Sequence, residues 1–244
     1  MNNNTNVNIS IKKAFSFGLQ MFKKNWKIYV PFTIILAFIS MMQEMEFSNA
    51  AGRTAFAIAT VIASLLLGIA LIKGFLAHKN KEVISLGDFK ITGKDIKRYV
   101  GLNLIYLVVV LLIAFAVARL IYPALSALGA IGMVVTAIAI VIALIYLVLK
   151  SALLQLTVLD KIEMSFFKSL KYGWNLTKGS VSQIFSFIFL AGLLNIAGSL
   201  LFGIGLIVTI PITGIALVYI YKQLSGTVAE VEDISPTAQM HIEE

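Results

Sequence analysis

Ala124-Leu-Ser-Ala-Leu-Gly-Ala-Ile-Gly-Met-Val-Val-Thr-Ala-Ile-Ala-Ile-Val-Ile-Ala-Leu-Ile-Tyr-Leu-Val-Leu149 runs without an Asp, Glu, Lys, Arg or His. Crossing the hydrocarbon of a bilayer takes about 20 helical residues, so this stretch is long enough on its own, and it stays apolar to about Val158. Five more stretches have the same character: Ile28 to Met42, Thr54 to Ile72, Tyr99 to Ala118, Val181 to Phe202 and Ile204 to Tyr221. The first is short and gains length from the helix before it. The last two are separated only by the turn Gly203-Ile204-Gly205. The reading is an all-α integral membrane protein with six transmembrane helices, arranged as three hairpins.

Composition agrees. Hydrophobic residues make up 59% and charged residues 13% of 244, with a mean hydropathy of +0.92. A soluble domain carries roughly 25% charged residues, and one core of this size cannot hide so much apolar surface. The net charge of +8 does not indicate nucleic acid, because the lysines lie between apolar runs. There is no cysteine, which excludes disulfides and thiolate chemistry. The two histidines, His78 and His241, fall outside the runs. Met1 to Asn8 is polar and precedes the first lysines, unlike a cleavable signal peptide.

Charge is distributed unevenly between the connections. Segments 1–27, 73–98, 150–179 and 222–244 hold 5, 7, 5 and 1 Lys or Arg, leaving only Arg53 and Arg119 for the other side. The positive-inside rule then predicts both termini in the cytoplasm. Each hairpin is preceded by a cytoplasmic amphipathic segment, at about 10–27, 83–98 and 160–178. In the first, Ile11, Phe15, Gly18, Phe22 and Trp26 recur at helical spacing, with Lys13, Ser16, Gln20, Lys24 and Lys27 opposite. Lys13 to Lys23 aligns without gaps to Lys168 to Lys178, with Gly18 matching Gly173. The middle segment matches only at Gly93 and Arg98. Residues 1–224 therefore read as one membrane domain, and 225–244 as an acidic, disordered cytoplasmic tail.

The candidate contacts for anionic lipid headgroups or a protein partner are Lys12, Lys13, Lys23, Lys24, Trp26, Lys27, Lys168, Lys171, Trp174 and Lys178. Thr60, Ser64 and Gly68 form one small-residue stripe, and Ala191, Asn195 and Ser199 another, both suited to close helix packing. Within the membrane, Asn195, Thr209 and Pro211 stand out. Asn195 needs a hydrogen-bond partner there, and Pro211 predicts a kink. No zinc-protease, phosphate-loop, nucleophile-elbow or dinucleotide motif occurs, so no enzyme and no cofactor are expected.

Tyr172-Gly-Trp-Asn-Leu-Thr-Lys-Gly179, Gly203-Ile-Gly-Leu-Ile-Val-Thr-Ile-Pro211, Tyr219-Ile-Tyr-Lys-Gln-Leu224 and Phe22-Lys-Lys-Asn-Trp26 resemble a bacterial group of six-span proteins. The chain is similar to the membrane domain of glycerophosphoryl diester phosphodiesterases and to the related YciC-like integral membrane proteins. That resemblance implies an all-helical module without an established activity, since the phosphodiesterase chemistry belongs to a separate soluble barrel. Two functions follow as expectations. The first is a non-catalytic module binding membrane lipids or a larger membrane protein complex, as scaffold or accessory subunit. The alternative is a transporter, or transporter subunit, for a small apolar or amphipathic substrate passing Asn195, Thr209 and Pro211.

Overall fold

The computed structural model describes residues 9–42, 50–121, 129–177, 180–201 and 203–226. Among the described residues there are seven α-helices: α1 (Ile11–Met42), α2 (Ala50–Ala77), α3 (Gly93–Ala116), α4 (Ala130–Asp160), α5 (Phe166–Leu176), α6 (Val181–Leu200) and α7 (Leu206–Leu224). A 3-10 turn at Leu86–Phe89 precedes α3, and a π-helical turn at Val117–Ile121 extends it. Six of these helices, all but α5, are long and apolar enough to cross a membrane.

The chain divides into two compact units, one made of residues 1–93 and 175–244 and the other of residues 94–174. In the first unit, α1 packs more extensively against α7 than against its sequence neighbour α2. The two run antiparallel: the Phe17 ring lies 5.3 Å from that of Tyr219, and Thr33 further along reaches Ile207. Gly18 permits the approach, since a Cβ there would stand 2.4 Å from the Ile212 carbonyl oxygen and 3.2 Å from the Ala216 methyl. Helices in lipid gain little from hydrophobic transfer, so this close backbone contact is what holds them.

The expected first amphipathic segment and first span form one helix. Asn25 interrupts it with φ −122° and ψ 16°. Residues 83–92, expected to be amphipathic helix, instead form a loop around the 3-10 turn, and helix begins at Gly93. The loop is pinned from the side by Asn25, as described below. Pro211 leaves α7 continuous from Leu206 to Leu224. The helix runs on through Pro211 although the Ile207 carbonyl loses its backbone N–H there, and the Thr33 hydroxyl lies 3.1 Å from that oxygen.

In the second unit, Leu102 of α3 and Leu154 and Val158 of α4 form a buried cluster, with Tyr106, Phe166 and Leu170 packed on it. Arg98 locks the α4–α5 connection: its guanidinium donates to the carbonyls of Lys161 (2.9 Å) and Met164 (2.8 Å) and to Ser169 Oγ (2.8 Å). Gly173 sits against Leu154 and Thr157, so α5 folds back along the last turns of α4.

Candidate functional site

The lysine-rich end of the first unit is built from the start of α1, the loop after α2 and the end of α7. On α1, Ala14, Gly18, Met21, Phe22 and Asn25 are buried, whereas Lys12, Lys13, Lys23, Lys24 and Lys27 are exposed and Trp26 is 50% exposed. The inward face is thus consumed by packing on α7, and the outward face carries the charge.

Asn25 fastens this helix to the loop. Its amide nitrogen donates to the carbonyls of Met21 (2.8 Å) and Glu82 (2.7 Å), and its Oδ1 accepts from the Ile84 N–H at 2.9 Å. Lys24 pairs with Glu82 beside it. Phe89 then plugs the space under the loop. It stacks on Phe32 with centroids 4.4 Å apart and covers Gly74, where a Cβ would collide with its ring. Tyr29 donates to the Gly74 carbonyl at 3.1 Å. Within the loop, Asp88 accepts from Lys81 Nζ (2.6 Å) and from the Ser85 N–H (2.8 Å). Lys81 and Ser85 hold its carboxyl below the usual range.

His78 is buried in this end, with Nδ1 3.0 Å from the Lys81 carbonyl. A carbonyl only accepts, so Nδ1 carries the proton and Nε2 is a bare acceptor, buried without a hydrogen-bond partner. Burial lowers the His78 pKa, with the Lys81 carbonyl and Asp88 opposing and Lys222 adding to the effect. Lys222 is fully buried near the end of α7, and its ammonium donates to the Lys79 carbonyl.

On α5, Lys168 and Lys171 are exposed, and Trp174 is 42% exposed. Lys150 of α4 brings its ammonium 4.5 Å from the Trp174 ring centroid and 5.6 Å from that of Tyr146, a separation at which cation–π attraction operates. Lys178 and the acidic residues 230–244 lie outside the described residues.

Of the intramembrane candidates, Asn195 and Thr209 lie at the α6–α7 contact, where Asn195 faces Thr213 and Thr209 lies against Gly198. Asn195 Nδ2 lies 3.4 Å from Thr213 Oγ1, while Asn195 Oδ1 and Thr209 Oγ1 are buried without hydrogen-bond partners. Thr213 donates back to the carbonyls of its own helix. Pro211 has no N–H for the Ile207 carbonyl one turn back, and the Thr33 hydroxyl lies 3.1 Å from that oxygen. Of the small-residue stripes, Thr60 and Ala191 are buried, Ser64, Gly68 and Asn195 are half-buried, and Ser199 is exposed.

Sequence reasoning missed Asn25, Thr33, His78, Arg98 and Lys150 as organising residues. An Asn inside a helical pattern and one of only three arginines were the available signals. Among the described residues, no group of three His, Cys, Asp or Glu side chains is placed to hold a metal ion. Comparison with protein-family models, with curated proteins and with solved structures gives no match for the chain.

Proposed function

We propose that this chain is a non-catalytic module of a bacterial cytoplasmic membrane, with both termini in the cytoplasm. Its basic segments serve as the contact surface for anionic lipid headgroups or a partner membrane protein. The observation that carries this reading is the division of labour on α1. Its inner face is occupied by α7, leaving Lys12, Lys13, Lys23, Lys27 and Trp26 turned outward. Lysines near an anionic leaflet contribute about 1 kcal/mol each, and an amphipathic tryptophan suits the headgroup level.

The non-catalytic part of the reading is supported by how the titratable groups of this end are used. Asp88 is held by Lys81 and Ser85, Glu82 by Lys24, and His78 by a backbone carbonyl. Each serves a structural contact. Membership of the YciC-like group fits the same reading and is part of the proposal.

The test is extraction of the full chain in native nanodiscs, with and without Lys-to-Gln changes at positions 12, 13, 23 and 24. The proposal expects the variant to lose co-purifying anionic lipid or a stoichiometric protein partner. Unchanged recovery of both would reject it. The transporter reading draws on one observation, the two unpartnered buried oxygens at Asn195 and Thr209. Substrate-dependent protection of a cysteine placed at Thr209 would favour it over the module reading.

A further inference from the structure

The rotation of α5 is fixed from its inner side. Arg98 holds Ser169, and Gly173 seats against Thr157, where a Cβ would come within 2.9 Å of Oγ1. With that face fixed, Phe167, Lys171 and Trp174 at i, i+4 and i+7 form one outward stripe, and Lys168 lies beside it. Phe167 is 76% exposed. Neither Lys168 nor Lys171 has an acidic partner among the described residues.

Depth follows from α4. About 20 residues separate Ala130 from Lys150, or roughly 30 Å of helix, which is the thickness of the hydrocarbon core. The remaining turns to Asp160 therefore emerge from it. Trp174 folds back to the level of Lys150 and Tyr146, the cluster of aromatic and basic residues found where a helix leaves the acyl region. An outward face with two aromatic rings and two uncompensated positive charges at that level matches a leaflet of anionic phospholipid in both polarity and charge.

We infer that the outer face of α5 is a phospholipid-binding foot, in which Lys168 and Lys171 engage the phosphates of anionic headgroups while Phe167 and Trp174 seat at the acyl boundary. This rests on the membrane-module reading and narrows it to one helix and one ligand class.

The test uses the full chain carrying Trp26→Phe, which leaves Trp174 as the sole tryptophan. It is reconstituted in phosphatidylcholine bilayers containing a minor fraction of brominated phosphatidylglycerol or brominated phosphatidylcholine. The expected result is quenching of Trp174 several-fold more effective by the anionic lipid, with roughly fivefold per lysine as the ceiling. Lys168→Gln with Lys171→Gln should bring the two lipids to parity, and the paired Lys-to-Arg changes should keep the preference. Equal quenching in the parent protein, or none by either lipid, overturns the inference. A companion Trp174→Phe protein reports on Trp26 and α1. Anionic preference at Trp26 without it at Trp174 rejects the α5 site alone, whereas its absence at both rejects the general reading as well.

Discussion

At Asn25 the α1 backbone leaves helical geometry, and the side chain takes over bonds that the backbone gives up, two outward to Met21 and Glu82 and one inward from Ile84. A net hydrogen bond is worth about 1 kcal/mol, and an orphaned buried partner costs more. Asn25→Ala should therefore lower stability by about 2–3 kcal/mol and speed proteolysis within residues 79–92, read by thermal unfolding in detergent and by limited digestion. Thr33 and Pro211 form the second residue-level case. Thr33→Val keeps the shape but withdraws the hydroxyl that faces the Ile207 carbonyl, which should cost about 1–2 kcal/mol. Pro211→Ala restores a backbone N–H to that carbonyl, so the Thr33→Val penalty should shrink in its presence. A double-mutant cycle with additive effects would contradict this coupling. Neither residue announces its role in the sequence, because each role depends on a partner far along the chain.

The aligned segments of α1 and α5 use their matching glycines alike: Gly18 and Gly173 are both buried at close helix contacts, while nothing lies near Gly93. Gly18→Leu or Gly173→Leu should destabilise by about 1–3 kcal/mol through overpacking, and Gly93→Ala should be neutral, as measured by unfolding in the same detergent. The loop between α2 and α3 predicts a pH response. The His78 pKa is lowered by burial from its ordinary value near 6.5, so the folded state resists a proton that the unfolded chain accepts. Stability therefore falls as pH drops below 6.5 toward the folded value. Asp88 is depressed below its ordinary value near 3.8, so its contribution is complete above that pH and is lost only as pH falls through the folded value. Melting curves from pH 7 to 5 should show a decline that His78→Gln flattens. The helices themselves were legible, since uninterrupted hydropathy over such lengths has one structural outcome. Their joints were less so. The 83–92 segment has helix-compatible composition, but its conformation is set by Asn25 and by Phe89 filling the space above Gly74.

For the whole molecule, six membrane-competent helices and the lysine asymmetry predict a topology that the absence of cysteine makes easy to test. Single cysteines at Ser85 and Ser165 should resist an impermeant maleimide added outside cells, and one at Ala51 should react. The basic candidate residues were legible from charge alone. What could not be read was that only some of their neighbours are free of structural duty, because burial of a face is a tertiary property. The pairing of α1 with α7 has one more consequence, in the time domain. The second unit is contiguous in sequence, whereas the first needs the earliest and the latest helices together. During synthesis, α1 is made with its Gly18 face unfilled and waits through the whole middle of the chain. Completion of the first unit thus waits for the synthesis of α7, and a nascent chain cut short before it presents membrane quality control with an open seam.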